Sequence, residues 1–435
     1  IQNSVLDGAS DGKYAFYGKY ITGTWTWNNN AIKNFSSWYV IDNTGSATPT
    51  DLVNEDLNAL VFTNNTMTNL GGSIAFRGLV ADPMSSAVVS GNAWDGLAGM
   101  YWAGIEVNNA NDVDITNNSF TNMGAGTLSW EPGAAVQVWN IDDLLFEGNT
   151  IDSGERGLVI YGGIETVGLI RNNTISNLST ASAHDSGGVV IYDHTNPLVS
   201  QTVTGTTITS NTFSNNTVDV HVGMGAADGD ILVTGNTSFS TGGVAVQVDG
   251  GAATVTDTIN GAATAVEVLS GTVLVTGSDL TGSGSGTGVK VSGGSATISN
   301  NPTTITGFTT GVDVDGGTAL IETTNLNGNT VGLLIQNGGV VDAGQETPGT
   351  DFTGLGISAG GNDFSGYTAA ATATSGAIVN VNSDAVTGRQ GAPNDVFAAG
   401  NTFSTSNLAD VESVIWHDID DSNVGFIDYA SFGGS

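Results

Sequence analysis

The stretch GGVVIYDHTN, residues 187–196, sets the central question of this sequence. Its apolar residues alternate with other side chains, and a Tyr, an Asp and a His follow within a few positions. In an enzyme, His194 beside Asp193 and Tyr192 would resemble general acid–base machinery. In a repeat protein, the same letters would form one short strand and the turn after it, with polar residues that simply face outward. The choice depends on whether this stretch has relatives elsewhere in the chain.

Such relatives exist, because a Gly or Ala followed by alternating apolar residues recurs along the sequence. Successive copies lie 20 to 31 residues apart, a period typical of solenoid repeats. One copy could not bury its apolar residues alone, whereas stacked copies would bury them in a continuous core. The recurring inner residues are Ile74, Ile105, Val136, Leu158, Val189, Val218, Val246, Val266, Val289, Val312 and Leu333, with Ile378 as a later member.

A second element alternates with the first and has the form Asn–Thr/Ser–Ile/Phe after a turn residue. It reads NNTM at Asn64, NNSF at Asn117, GNTI at Gly148 and NNTI at Asn172, with later copies SNTF, GNDF and GNTF. Together the two elements resemble those of the right-handed parallel β-helix repeat proteins, a superfamily related in fold to pectate lyases. The resemblance covers about residues 60–410 and implies an all-β fold, a single-stranded right-handed parallel β-helix. It leaves function open, since that fold hosts lyases, glycoside hydrolases, phage tailspikes and adhesins.

The Asn residues of the second element are expected to lie at turns. Their amides would stack on successive coils and hydrogen-bond from coil to coil, as in other stacked parallel strands. The expected members of this ladder are Asn65, Asn118, Asn149 and Asn173.

The repeats predict three segments: an irregular N-terminal cap over residues 1–60, the β-helix over 61–411 and a closing segment over 412–435. The helix is decorated with longer loops up to about residue 240, and short plain coils follow up to about residue 345. Seven of the eight Trp residues lie before residue 140. We therefore expect binding to occur in the decorated part.

The charge balance excludes some partners. The chain carries 42 acidic and 8 basic residues, a formal net charge of −34, so nucleic acid and anionic membranes would be repelled. There is no Cys, hence no disulfide and no thiolate zinc site. No apolar run is long enough for a membrane-spanning helix. The chain opens at Ile1 without a signal-like segment, as expected of a processed protein or an excised region. These features predict an extracellular protein, secreted or at the cell surface.

Period-two alternation assigns the side chains to faces. The residues that follow the inner positions face outward and stack about 4.8 Å apart, which places an aromatic run on one face of the solenoid. Two interpretations stay open: the rings contact a glycan, whose C–H groups pack on aromatics, or they stack on one another and stiffen the coil. The candidate ligand-binding residues are Trp139, Tyr161, Tyr192 and His221, with Gln137, Glu106 and Asp219 from the neighbouring outward column.

An enzymatic alternative also stays open, namely a polysaccharide lyase or glycoside hydrolase that works in a groove on the outer face. A lyase needs carboxylates for Ca²⁺ or uronate and a base for the α-proton. The motif set of polygalacturonase-type hydrolases is missing apart from a paired Asp, and the basic cluster of pectate lyases is thin. The weak catalytic candidates are Asp142, Asp143, Glu155, Arg156, His184, Asp185, Asp193 and His194.

No cofactor is expected, although Ca²⁺ binding is possible in principle. Two acidic stretches resemble fragments of Ca²⁺ loops without matching the ligand spacing of known ones, so turns are the favoured interpretation and Ca²⁺ binding stays open. The weak metal candidates are Asp313, Asp315, Asp228 and Asp230. The whole sequence predicts a structural or adhesive module with polysaccharide, or further copies of itself in a filament, sheath or surface layer, as partners.

Overall fold

The computed structural model describes most of the chain in two compact units, Ile1–Ser240 and Thr241–Ser435, here called unit 1 and unit 2. Each is built from parallel strands. The described residues are 1–12, 14–17, 23–36, 39–42, 57–78, 82–97, 103–123, 133–179, 187–192, 203, 205–223, 230–299, 303–345, 349–383 and 396–429.

Unit 1 winds through repeated coils of three strand segments. Its strands are β1 (Val5–Gly12), β2 (Phe16–Tyr17), β3 (Gly23–Asn28), β4 (Ala31–Phe35), β5 (Tyr39–Asp42), β6 (Leu57–Thr63), β7 (Thr66–Thr68), β8 (Ser73–Arg77), β9 (Ser86–Ser90), β10 (Ala93–Leu97), β11 (Ala103–Thr116), β12 (Ser119–Met123), β13 (Ala134–Glu147), β14 (Thr150–Gly154), β15 (Arg156–Arg171), β16 (Thr174–Leu178), β17 (Gly187–Tyr192), β18 (Thr206–Thr209), β19 (Thr212–Ser214), β20 (Val218–Gly223) and β21 (Asp230–Thr234).

The strands of unit 1 form three parallel sheets, and each strand pairs with the strand one coil later. The first sheet runs β1-β4-β7-β10-β12-β14-β16-β19. The second sheet runs β2-β5-β8, continues through the first halves of β11, β13 and β15, and ends with β17 and β20. The third runs β3-β6-β9, the second halves of β11, β13 and β15, then β18 and β21. This pairing is that of a parallel β-helix.

The turn from the third sheet to the first holds the predicted Asn ladder, which the hydrogen bonds confirm. Every amide but the last donates to the side-chain oxygen of the Asn one coil later, with N–O distances of 2.9 to 3.1 Å. These amides also donate to a backbone carbonyl, as does the last one, that of Asn236. The residue before each ladder Asn has a positive φ, which explains why it is Asn, Gly or Ser. The ladder contains Asn30, Asn65, Asn92, Asn118, Asn149, Asn173, Asn211 and Asn236.

Inside the coils, inner residues of successive strands lie in register and are fully buried. In the second sheet these are Ile74, Ile105, Val136, Leu158 and Val189. Stacked aromatic side chains also fill the interior; the rings of Trp94 in β10 and Phe120 in β12 have centroids 4.4 Å apart and an interplanar angle of 14°. Continuous burial of these columns is the main stabilising contribution, since no coil has a core of its own.

The predicted N-terminal cap contains regular strands. Residues 1–42 include β1 to β5, which pair in parallel with strands of the following coils. Trp25 and Trp27 lie in register with Leu60 and Phe62 of the core, so these aromatics continue the inner columns. The first coils therefore begin before residue 60, and a capping role for this segment stays a prediction.

Over its described residues, unit 2 repeats the arrangement, with shorter coils up to about residue 336, longer ones after it and one short helix. Its elements are β22 (Val244–Thr256), β23 (Thr258–Asn260), β24 (Thr264–Thr276), β25 (Asp279–Thr281), β26 (Thr287–Val291), β27 (Ser295–Ser299), β28 (Thr303–Thr306), β29 (Thr310–Asp315), β30 (Thr318–Ile321), β31 (Thr324–Asn325), β32 (Val331–Gln336), β33 (Val340–Asp342), β34 (Asp363–Phe364), β35 (Gly376–Asn380), β36 (Val396–Phe397), β37 (Thr402–Phe403), α1 (Leu408–Glu412), β38 (Ile415–Trp416) and β39 (Ile427–Asp428).

The closing segment, predicted for residues 412–435, continues the coils within unit 2. β38 pairs in parallel with β35 and β39 with β36, so both belong to the same sheets as the earlier strands. Asn407 caps α1 through its side chain, which accepts a hydrogen bond from the Ala409 N–H. Within the described residues, no helix has the length and apolar character needed to cross a membrane.

Candidate functional site

The predicted aromatic run lies on the outer side of the second sheet of unit 1. Trp139 pairs with Tyr161, and Tyr161 with Tyr192, so the three rings project from neighbouring coils. All three side chains are half-buried. The rings of Tyr161 and Tyr192 stack with centroids 5.5 Å apart and an interplanar angle of 23°. We call this column, which Arg77 and Asn108 precede in register, the outer row.

The structure corrects the predicted positions of His221 and Asp219 in these columns. Tyr192 pairs with Gly223, while His221 pairs with Val190, two residues before Tyr192 in the strand. The sequence VDVHV, residues 218–222, has three alternating apolar residues and so permits two frames. His221 is therefore buried beneath the outer row and meets the Tyr192 ring edge-on, with centroids 5.8 Å apart.

A second column, here called the middle row, runs beside the outer row and contains Glu106, Gln137, Val159, Val190 and His221 in register. These side chains project from the outer face of the sheet, yet all are buried, and Gln137 is the most exposed at 8%. Val159 and Val190 form a small apolar cluster with Ala103 and Ala134, against which Tyr161 and Tyr192 pack. Alternation predicted the face of these residues but not their burial.

Two arginines bring positive charge to this buried surface. The Arg77 Nη2 group lies 3.0 Å from Glu106 Oε2 and donates to the Tyr39 hydroxyl at 2.9 Å, while its guanidinium lies 5.1 Å from the Tyr39 ring centroid. The Arg77 and Glu106 side chains are 13% and 3% exposed, so solvent screens this ion pair little. The role of Tyr39 was not predicted, because it lies one coil earlier and in no repeated motif.

Arg156 and Glu155, two of the weak catalytic candidates, hold local structure on this face. Both are buried, and the Arg156 Nη1 group donates to the Tyr161 hydroxyl at 3.2 Å. Glu155 Oε2 accepts a hydrogen bond from the Gly133 N–H at 3.0 Å. These contacts orient Tyr161 and fix the start of β15. A catalytic role for either residue stays a prediction.

The other catalytic candidates divide into two groups. Asp142 is half-buried and Asp143 exposed, both in β13 beyond the aromatic part of the strand. The remaining candidates His184, Asp185, Asp193 and His194 lie outside the described residues.

Asp219 lies in the interior near the start of β20 rather than on the outer face. Its carboxylate accepts hydrogen bonds from the Ser240 hydroxyl at 2.5 Å, the Ser240 N–H at 2.7 Å and the Asn216 amide at 3.0 Å. Burial raises the pKa of Asp219 to about 6, although these hydrogen bonds act in the opposite direction. This position makes Asp219 an internal structural group, and its predicted contact with a ligand has no geometric support.

The weak metal candidates in unit 2 are occupied by protein partners. Asp313 accepts a hydrogen bond from the Gln336 amide at 2.9 Å, and Asp315 lies 4.0 Å from the Lys290 ammonium. Burial raises the pKa of Asp313. Asp230 begins β21, and Asp228 lies outside the described residues. Across the described ranges, no group of three His, Cys, Asp or Glu side chains has a metal-binding arrangement.

Comparison with known proteins identifies the fold family. A family model described as a right-handed β-helix region matches residues 20–238, half of the chain. Neither the search of curated proteins nor that of solved structures found a match. The family match confirms the predicted fold class, an all-β right-handed parallel β-helix, and its range includes both rows of the candidate site.

Proposed function

Because the chain belongs to the right-handed β-helix family, we propose that it is an extracellular structural or adhesive module that binds a polysaccharide through the outer row of unit 1. The large excess of acidic residues supports an extracellular location, because a high net charge keeps an exported protein soluble. The fold supports rigid presentation, since stacked coils hold neighbouring side chains at a fixed spacing of about 4.8 Å.

One observation carries the proposal: half-buried aromatic rings lie in a row on a buried base that contains both apolar and charged side chains. A merely structural face has no need of such a base, as the corresponding strands of unit 2 illustrate. There the column Gln247, Glu267 and Lys290 is polar and partly exposed. Gln247 donates to Glu267, and Lys290 lies 4.0 Å from Asp315.

The arrangement suits a sugar chain better than a small apolar ligand. The faces of Tyr161 and Tyr192 are turned towards each other, so their outward edges and hydroxyl groups are what a ligand can contact. Sugars combine C–H groups, which pack on aromatic carbon, with hydroxyls, which hydrogen-bond to Tyr oxygens. Each contact is weak, and several contacts along the row would add up on a polymer.

Isothermal titration calorimetry with a panel of neutral and acidic polysaccharides tests this proposal. We expect Tyr192→Ala to weaken binding by at least about tenfold, equivalent to about 1.4 kcal/mol. Tyr17→Ala is a matched control, because Tyr17 is also a half-exposed tyrosine beside another ring, 5.1 Å from that of Tyr14, but lies away from the row. Equal binding by both variants, or no binding by the unaltered protein, would contradict the proposal.

The same panel separates binding from catalysis. New reducing ends, or ultraviolet absorbance of unsaturated uronates with and without Ca²⁺, would replace the structural proposal by that of a lyase or glycoside hydrolase. Self-assembly is part of the proposal as well, because parallel coils end in strand edges that can pair with other strands. Sedimentation velocity over a wide concentration range tests it, and a strictly monomeric protein would count against it.

A further inference from the structure

Two exposed carboxylates lie beside the outer row without a partner in the protein. Asp112 in β11 and Asp143 in β13 are in register in neighbouring coils, and both are exposed. Among the described residues, neither carboxylate has an ion pair or a hydrogen bond. Strands in neighbouring coils are about 4.8 Å apart, so like charges in register on them repel each other. The repulsion would be relieved by a cation that reaches both.

The chain connects these carboxylates closely to the row. Asp143 follows Trp139 of the outer row by four residues, and Asp112 follows Asn108 by four residues one coil earlier. Four residues of chain span at most about 14 Å, so each carboxylate lies within that distance of the row. A polysaccharide of a few units that packs on the rings can therefore reach both carboxylates with its neighbouring units.

Asp114, two residues after Asp112 in β11, adds to the negative charge at this place. It is half-buried and lies in register between Val88 and Leu145, which belong to the neighbouring coils. Burial, and in second place the charge of Asp112, raise the pKa of Asp114. Both causes disfavour the ionised carboxyl group, and no described Lys or Arg opposes them. The negative charge beside the row is thus not neutralised by the chain itself.

The described Lys and Arg residues of unit 1 are already engaged with protein groups. The contacts are Lys33 with Asp7, Arg77 with Glu106, Arg156 with Tyr161 and Arg171 with Glu147. The Arg77–Glu106 pair itself leaves an acceptor over, since Glu106 Oε1 is buried without a hydrogen-bond partner among the described residues. A carboxylated sugar would therefore meet no available cation in this part of unit 1, whereas a sugar with an amino group would meet available carboxylates.

We propose that the polysaccharide bound by the outer row is cationic, a polymer of hexosamine units with free amino groups, and that Asp112 and Asp143 bind its ammonium groups. This inference rests on the proposed function, because the rings of the row supply the packing surface. An ammonium group donates charge-assisted hydrogen bonds to a carboxylate. The formal net charge of −34 also attracts a polycation to the protein, whereas it repels a polyuronate. A neutral polymer gains neither contribution.

Isothermal titration calorimetry with a matched pair of oligosaccharides tests the inference on the unaltered protein. The pair is a β-1,4-linked hexamer of glucosamine and the same hexamer with every amino group acetylated, so that the two share a backbone and differ in charge. In a mildly acidic buffer that protonates the amines, the glucosamine hexamer should bind at least about tenfold more tightly. Added salt should reduce this difference, because it screens charges at an exposed surface. Equal affinities would overturn the inference.

Variants without charge assign the preference to the two carboxylates. In the double variant Asp112→Asn with Asp143→Asn, the affinity for the glucosamine hexamer should fall to that for the acetylated hexamer. The matched control is Asp249→Asn with Asp279→Asn, which removes two exposed carboxylates of unit 2 and changes the net charge by the same amount. The control should keep the preference. A preference that survives in the first variant, or that the control also loses, would overturn the assignment.

The outcomes separate this inference from the proposed function. If both hexamers bind with the same affinity and Tyr192→Ala weakens both, the inference fails and the proposed function stands. If neither hexamer binds and no polysaccharide of the panel binds, both fail. Binding of the glucosamine hexamer that Tyr192→Ala leaves unchanged would indicate ionic adsorption away from the row, which also overturns the inference.

Discussion

Replacement of Asn118 by Ala tests whether the Asn ladder stabilises unit 1. The Asn118 amide oxygen accepts hydrogen bonds from the Asn92 N–H at 3.0 Å and the Asn92 amide at 2.9 Å. Its amide nitrogen donates to the Val89 carbonyl at 2.9 Å and to Asn149 Oδ1 at 3.0 Å. The bond from the Asn118 N–H to Asn149 does not involve the side chain and would remain.

The expected loss follows from the groups that are left without partners. The alanine variant strands the Asn92 N–H, one proton of the Asn92 amide and the Val89 carbonyl, all in a buried turn. An unsatisfied buried group typically costs about 1 to 3 kcal/mol. Since the turn can relax and water can replace part of the contact, we expect a total loss of about 3 to 5 kcal/mol in the free energy of unfolding unit 1.

Urea unfolding followed by Trp fluorescence is a suitable assay, because all Trp residues except Trp416 belong to unit 1. The matched control is Asn117→Gly, which removes an exposed amide at a residue with a φ of 55°. Glycine already occupies the same turn position at Gly91 and Gly148, so this control should change stability by less than about 0.5 kcal/mol. A loss below about 1 kcal/mol in Asn118→Ala, or an equal loss in the control, would refute the reasoning.

Three further predictions concern a buried carboxyl group, a glycine turn and a buried ion pair. Burial raises the pKa of Asp219 from 3.8 to about 6, so its contribution to stability is largest below pH 4 and falls as the pH rises through 6. Between pH 4 and pH 7 the unfolding free energy of the unaltered protein should drop by about 3 kcal/mol relative to that of Asp219→Asn. Urea unfolding at several pH values in this range measures the difference. Gly286→Ala should destabilise unit 2, because Gly286 has a φ of +81° and an added Cβ would lie 2.0 Å from the Ala263 carbonyl oxygen. A melting temperature within about 1 °C of that of the unaltered protein would contradict this. Arg77→Met should lose about 3 to 5 kcal/mol by leaving Glu106 charged and buried, and the double variant with Glu106→Gln should recover most of it in urea unfolding.

The sequence predicted most of the coil architecture because the repeated residues have a physical role in every coil. Asn65 and Asn118 could be placed at stacked turns since their amides satisfy backbone groups one coil away. The inner residues Ile105, Val136 and Leu158 could be placed because strand alternation puts apolar residues on the one face that every coil buries. In repeats of this kind the same residues determine the backbone conformation of a coil and its contacts with the next coil, so one copy predicts the structure of the others.

The frame of β20 and the burial of the middle row were not predictable in the same way. In residues 218–222 alternation permits two frames, and the choice is made by the bonds of Asp219 to Ser240 and Asn216, which no periodicity reveals. Alternation also predicts that the Glu106 and Val159 side chains project from the outer face of the sheet, but it does not predict that other side chains cover them. Covering a sheet depends on contacts that are specific to a few coils, whereas sequence periodicity reports only what all coils share.

This distinction bears on where function arises in the molecule. Shared features, the Asn ladder and the inner columns, hold every coil and by themselves favour no particular partner. Features confined to a few coils, such as the buried Arg77–Glu106 pair and the Arg156 contact to Tyr161, are not required by the repeat. A buried ion pair usually contributes little net stability, because desolvation offsets the Coulomb attraction. The Arg77–Glu106 pair is therefore better accounted for by the orientation it gives to the Tyr39 ring, to whose hydroxyl Arg77 donates, than by the stability of the coil.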